Sequence, residues 1–172
     1  MIRFSLRSVL KHVVYTLILL SLIVAQTTFF GDIEIFGVRP QAVLLFLLAL
    51  SFFEGAKIGA VYGVIGGYVL DVMSGGGIYF SAVIYMLVCY LASYAVELWF
   101  NDSYPSYAAM SAVFVIIKQV VDIFVMLASW SDFNLGQSIV KIFLPELLYT
   151  VAVSALVYYP VLLISSGFNR EN

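Results

Sequence analysis

The stretch that decides the fold runs from Glu54 to Gly77 and reads EGAKIGAVYGVIGGYVLDVMSGGG. Within it, a glycine or an aspartate recurs at every fourth position, and a helix advances only about 40° beyond a full turn over four residues. These positions therefore form one slowly drifting stripe of nearly bare backbone. In a bilayer, such a stripe lets a second helix approach closely. We predict a helix-packing or partner-binding seam, internal or intermolecular, made of Gly55, Gly59, Gly63, Gly67, Asp71, Ser74 and Gly75.

The composition of the whole chain indicates that lipid is the solvent for most of its side chains. Of the 172 residues, 63% are hydrophobic and 10% are charged, and the mean hydropathy is +1.07. A soluble domain of this size needs far more polar surface, so we predict an integral membrane protein. The net charge is −2 and the basic residues are few and scattered. They cannot follow a phosphate backbone, so nucleic-acid binding is not expected.

Six apolar runs predict an all-α protein with six transmembrane helices in a single domain, 1–172. The first run follows a basic segment, as in a signal peptide, but it is long for that role. The second run begins at Pro40 and is joined so tightly to the third that the two should form an antiparallel hairpin. Pro145 should kink or break the last helix. The predicted spans cover approximately 12–30, 40–53, 58–73, 78–100, 107–129 and 138–165.

The distribution of basic residues predicts how the bundle is oriented. The side that bears the N-terminus carries most of them, so the positive-inside rule places both termini in the cytoplasm. Asp71 then lies near the outer face, and His12 is expected to be part of a solvated flank at the cytoplasmic boundary. The basic residues on the N-terminal side are Arg3, Arg7, Lys11, Lys57 and Arg170, against Arg39 on the other.

Charged side chains inside the predicted spans are costly, so each needs a partner or a role. Lys118 and Asp122 are four residues apart and can pair on one helix face. The pair is either an ion or substrate relay or a self-neutralised pair that only packs against a neighbour. Lys141 and Glu146 face different directions on the last helix, and both could lie near the membrane interfaces.

Asp71 allows three interpretations from sequence. It can cap backbone donors in the glycine run, pair with Arg39, or contact a partner protein. No catalytic triad, suitably placed pair of carboxylates or metal-ligand spacing is visible in the sequence, and the glycine run lacks the ending of a phosphate loop. Cys89 is the single cysteine, which excludes a disulfide within the chain. We therefore expect no catalytic residue, metal site or cofactor.

The order of signals from Arg39 to Leu91 resembles the rod shape-determining protein MreD family. That family characteristically has Arg-Pro at the head of a short apolar helix, a tight link, a glycine-rich helix, and an aspartate followed shortly by Ser-Gly. The matching residues are Arg39 and Pro40, the run to Phe53, then Gly59, Gly63, Gly67, Asp71, Ser74 and Gly75, with Asp122 and Pro145 as further agreements. Gly76, Gly77, Lys118 and Lys141 depart from the pattern.

The resemblance implies a non-enzymatic scaffold in the bacterial cytoplasmic (inner) membrane that maintains rod shape by organising peptidoglycan synthesis. It implies an MreC-like bitopic membrane protein as the partner and, indirectly, an MreB-like filament and RodA-like and penicillin-binding synthases. It also implies a fold similar to the S-components of vitamin transporters. The alternative function is therefore a small-molecule (vitamin-like) binding S-component, which needs the four intramembrane charges to converge on a closed pocket.

Overall fold

The computed structural model describes residues 6–29, 41–73, 80–99, 103–129 and 144–169 of the chain. These residues are helical almost throughout, and no strand occurs in them. The first helix continues into a π-helical turn, Ala25–Phe29. The α-helices are α1 (Leu6–Val24), α2 (Ala42–Glu54), α3 (Ala56–Met73), α4 (Phe80–Trp99), α5 (Tyr104–Ser129) and α6 (Leu144–Asn169).

Five segments of these helices are long and apolar enough to cross a membrane. They are Ser8–Thr28, Ala56–Met73, Phe80–Leu98, Tyr104–Phe124 and Pro145–Gly167. The remaining helix, α2, has 13 residues and reaches only about 20 Å of the roughly 30 Å hydrocarbon thickness. The prediction of an all-α membrane protein is confirmed, whereas a count of six spans remains a prediction.

The centre of the bundle is α2. Every residue from Ala42 to Phe52 is buried, which is the expected environment for a helix that is apolar on all its faces. The helix packs against α3, α4, α5 and α6, and α1 contacts it from a further side. The short helix therefore fills the space that the longer helices enclose.

The hairpin of α2 and α3 turns at one residue. Gly55 separates the two helices and has a φ of +87°, in the left-handed region that favours glycine. A Cβ on Gly59 would meet Ser51, and one on Gly66 would meet Leu47. Residues farther from the turn in α3 thus face residues farther from the turn in α2, as antiparallel packing requires.

Aromatic side chains join α2 to α5 and α6. The rings of Phe52 and Tyr107 meet edge to face with centroids 5.8 Å apart, and Tyr158 lies 5.2 Å from Tyr107. The Tyr107 hydroxyl donates to the backbone carbonyl of Leu45 at 2.8 Å. Buried tyrosine needs such a partner for its polar end, and this bond fixes the position of α5 along α2.

The positions of the prolines relative to the starts of α2 and α6 differ from the prediction. The second helix begins at Ala42 with Gln41 before it, and Pro40 lies outside the described residues. Pro145 was expected to kink or break the last helix, but it lies in the first turn of α6, where its missing N–H removes no intrahelical bond. Pro160 is the proline in the interior of α6.

Candidate functional site

The glycine stripe of α3 packs against the backbone of α4. A Cβ on Gly63 would lie 2.7 Å from the Tyr85 carbonyl oxygen, and one on Gly67 would lie 2.5 Å from the Cα of Ala82. Carbon atoms cannot approach backbone at such distances, so only glycine permits this separation of the helices. Within the described chain, these two glycines therefore form an internal contact.

The other positions of the predicted seam have different surroundings. Gly59 faces α2, where a Cβ would lie 2.1 Å from the Ser51 hydroxyl oxygen. Gly55 forms the turn, and a Cβ there would meet nothing within 4 Å among the described residues. Gly55 is thus a link residue and not part of the packed face. Ser74 and Gly75 lie outside the described residues.

Asp71 acts on the start of α4. Its side chain is buried, and Oδ2 accepts a hydrogen bond of 3.0 Å from the backbone N–H of Ser81, the second residue of that helix. The first N–H groups of a helix lack intrahelical partners, and a carboxylate is favourable at this positive end. The donor thus lies at the start of α4, and the glycine run that Asp71 was also expected to cap lies outside the described residues. Arg39, the other predicted partner, is outside the described residues.

A buried ion pair holds α1 to the α2–α3 turn. Lys11 Nζ lies 2.7 Å from each carboxylate oxygen of Glu54, and Tyr15 donates to Glu54 Oε1 at 2.9 Å. The side chains of Lys11 and Glu54 are only 10% and 8% exposed. The pair is well satisfied, because two donors surround the carboxylate. We call these three residues the α1 clasp.

A second set of polar contacts lies beside the α1 clasp. The Tyr62 hydroxyl of α3 donates to the His12 carbonyl at 3.0 Å and lies 3.2 Å from His12 Nδ1. Thr16 also donates to the His12 carbonyl. His12 was expected to be part of a solvated flank, but it is partly buried and its ring stacks on Tyr62, and the neighbouring Lys11 is buried. The bonds of Glu54 and Tyr62 to α1 could not be predicted from sequence, since they join residues 39 or more positions apart.

The opposite end of α1 is also attached through a polar group. Gln26, in the π-helical turn, accepts a hydrogen bond of 3.1 Å from the backbone N–H of Val43 in the first turn of α2. This N–H has no intrahelical partner. Helix α1 is therefore held by polar contacts near both of its ends.

Of the four predicted intramembrane charges, the three that lie in the described residues all have polar partners. Lys118 and Asp122 bond each other along α5, with side chains 17% and 41% exposed. Glu146 accepts a short hydrogen bond from Gln41 Nε2 across the α2–α6 contact, and Lys118 lies within its electrostatic reach. Lys141 lies outside the described residues. Within the described chain, no group of three or more His, Cys, Asp or Glu residues has a metal-binding arrangement.

The exposed side of α1 carries an apolar groove of about 400 Å³. Val9, Val13 and Leu17 follow one another at four-residue spacing and are 46%, 48% and 59% exposed. His12 and Thr16 line the same groove, and His12 Nδ1 and the Thr16 hydroxyl lie within hydrogen-bonding distance of the Tyr62 hydroxyl. The groove is therefore a mainly apolar surface along α1.

The close contact at Gly63 predicts a steep response to one methyl group. Gly63→Ala should lower the free energy of unfolding by about 1–3 kcal/mol, since overpacking forces backbone to move. Gly66→Ala is the matched control, because its Cβ would meet only methyl ends of Leu47 and Leu19 at 3.2 and 3.3 Å. SDS titration in mixed micelles measures both variants. Equal stability of the two would contradict the internal seam.

The α1 clasp predicts a large effect of removing one charge. Glu54→Gln removes the charge of a buried carboxylate that contacts Lys11 Nζ through both of its oxygens, and it should cost about 3 kcal/mol. Tyr15→Phe loses one hydrogen bond and should cost about 1 kcal/mol. The double variant Lys11→Met/Glu54→Gln should recover part of the loss in the same titration. If the double variant loses as much stability as the single variants Lys11→Met and Glu54→Gln lose in sum, the two charges do not interact.

The contact between Asp71 and α4 predicts a graded series. Asp71→Ala removes the acceptor and should cost about 1 kcal/mol, as loss of a helix cap does. Asp71→Asn keeps an acceptor and loses only the charge at the helix terminus, so its cost should be smaller. Thermal unfolding followed by circular dichroism ranks the variants. An Asn variant as unstable as the Ala variant would show that the bond to Ser81 is not what matters.

Comparison with known proteins identifies the family. The family profile of rod shape-determining protein MreD matches residues 6–166 of the 172-residue chain. No curated protein and no solved structure gives a significant match. The match covers α1 to α6 almost completely, and the chain therefore belongs to the MreD family of rod shape-determining proteins, as a multi-pass membrane protein.

Proposed function

We propose that this protein is a non-enzymatic scaffold that helps organise peptidoglycan synthesis during rod-cell elongation by binding a single-span MreC-like protein. The observation that carries the proposal is the packed interior. Among the described residues, α2 fills the space between the longer helices. A partner would therefore bind on the outer surface of the bundle. Membership of a shape-determining family supports the same function.

The groove on α1 is the surface we assign to the partner helix. The partner cannot enter between α3 and α4, since Gly63 and Gly67 already contact α4 backbone. The stripe of Val9, Val13 and Leu17 offers apolar positions one turn apart, which is how one helix anchors another. Close packing drives such association in lipid. The MreB-like filament and the RodA-like and penicillin-binding synthases would then be recruited through the partner.

The orientation of the bundle is part of the proposal. The excess of basic residues on the N-terminal side favours cytoplasmic termini in the bacterial inner membrane. The α1 clasp and the Gly55 turn would then lie at the cytoplasmic end. The groove begins at this same end, close to where the partner's cytoplasmic segment would leave the membrane.

The alternative of a vitamin-binding S-component has partial support. That function requires the intramembrane charges to converge, and Lys118 bonds Asp122 and interacts electrostatically with Glu146. The space between the helices, however, is filled by the apolar side chains of α2. A bundle core of this kind counts against a vitamin-sized pocket, so we favour the scaffold.

A photo-crosslinking residue at Val13 tests the assigned surface in native membranes. We expect a covalent product with the MreC-like protein encoded in the same genome. The control position is Leu156 on α6, which is 74% exposed but lies outside the groove. Products from Leu156 and not from Val13 would place the partner elsewhere, and products from neither would contradict the proposed interaction.

The same positions test the link to cell shape. Val13→Trp fills the groove and should make rod cells round, while Leu156→Trp should leave them rod-shaped at equal protein level. Rod-shaped cells with Val13→Trp and an unchanged yield of co-purified partner would contradict the groove assignment.

A further inference from the structure

We propose that Gln41, Glu146 and Thr150 form a binding site for a primary ammonium group between α2 and α6. We call these residues the α2–α6 polar cluster. The site is independent of the partner-binding function and lies at the end of α2 remote from the α1 clasp. It takes up one cationic head and not a whole vitamin-sized molecule.

Gln41 reaches away from its own helix. It occupies the position before α2, yet its side chain makes no capping bond to that helix. Instead, Nε2 donates to the Glu146 carboxylate. The residue is 5% exposed, and its Oε1 has no hydrogen-bond partner in the described part of the chain. One half of the amide is therefore satisfied and the other half needs a donor.

Thr150 lies one turn beyond Glu146 on the same face of α6. It is fully buried, and its Oγ1 finds no partner among the described residues. Other helical hydroxyls here donate to a carbonyl of the preceding turn, as at Thr16, Thr27 and Ser154. Thr150 does not make this bond, so its hydroxyl is available to a different partner.

The free positions of the cluster are mainly acceptors. The Gln41 amide oxygen accepts only, an ionised Glu146 carboxylate accepts only, and the Thr150 hydroxyl can accept as well. A ligand that satisfies them must donate in more than one direction. Buried polar atoms without partners cost free energy, so such a donor gains affinity from each orphaned oxygen that it reaches.

The charge of the cluster also favours a cation. Among the described residues, Lys118 bonds Asp122 and also interacts electrostatically with Glu146. One positive group thus faces two carboxylates, which leaves one negative charge in excess. A primary ammonium combines one positive charge with three donors. An anion would face the Glu146 carboxylate. The described residues hold no group of three His, Cys, Asp or Glu that would favour a metal ion.

Two sources can supply this chemistry. One is a small free amine, such as ammonium or ethanolamine. The other is the head group of an amine lipid, because the site lies in a helix bundle surrounded by membrane. Both present the same –NH₃⁺ group, and they differ in whether the group arrives on a lipid.

Thermal unfolding of the full chain tests for binding. The protein is purified in detergent with amine-free buffer, and unfolding is followed by circular dichroism. Ammonium chloride or ethanolamine should raise the unfolding temperature with concentration, as expected for a ligand of the folded state. Tetramethylammonium chloride at equal ionic strength should not, because it carries the charge without donors. Equal shifts with both salts, or no shift with either, would overturn the proposal.

A variant without the hydroxyl locates the effect. Thr150→Val keeps the shape of the side chain and removes a polar atom that is unpaired, so the protein should still fold. The concentration of ethanolamine needed for half of the shift should rise about tenfold, as for one lost hydrogen bond. Ser154→Ala is the control, since that hydroxyl already has partners in the Val151 carbonyl and the Tyr104 hydroxyl. An unchanged response in Thr150→Val would refute the site.

Nanodiscs distinguish the two sources. Phosphatidylethanolamine should stabilise the wild-type chain more than phosphatidylcholine if the lipid supplies the ammonium, and Thr150→Val should abolish that difference. If the two lipids act alike while free ethanolamine still stabilises, the ligand is a free amine. If neither lipid nor free amine has an effect that depends on Thr150, the proposal is wrong.

Discussion

The burial of α2 is the constraint on which the rest of the structure depends. Lipid offers apolar side chains the same solvation as a protein interior, so the hydrophobic effect alone gives no reason for one apolar helix to leave it. A helix of 13 residues is different, because it is too short to satisfy the thickness of a bilayer. Surrounding it with longer helices removes that mismatch and gives α2 van der Waals contact on every side.

The longer helices then need contacts that hold them around α2. Between α3 and α4, glycine lets the backbones meet at Gly63 and Gly67. Helix α1 lacks such a stripe against its neighbours, and its ends are held by polar bonds at Glu54 and Val43. The bundle thus combines a tight pair with a helix fixed near its two ends. The exposed groove lies on α1, the helix that is fixed near its ends.

The local features were predictable from sequence, and the pairings over long distances were not. Apolar runs and the four-residue glycine spacing indicate helices and a close-packed face, because both depend on neighbours within two turns. The pair of Lys118 and Asp122 follows from the same rule. The bonds from Lys11 to Glu54 and from Gln41 to Glu146 join residues 43 and 105 positions apart. These bonds depend on which helices are adjacent and on how each helix is rotated about its axis. The hydropathy of the sequence specifies neither the adjacency nor the rotation.

The position of α2 has a consequence for how the chain is made. Its side chains contact protein on all sides in the finished fold, yet during synthesis α2 emerges before α3, α4, α5 and α6 exist. A segment of this length has no stable solitary state across the bilayer. The turn at Gly55 joins it to α3 through a single residue, so the two can enter the membrane as one unit. After α1, the next step of membrane insertion would then be insertion of this hairpin as a whole and not of its two helices one by one.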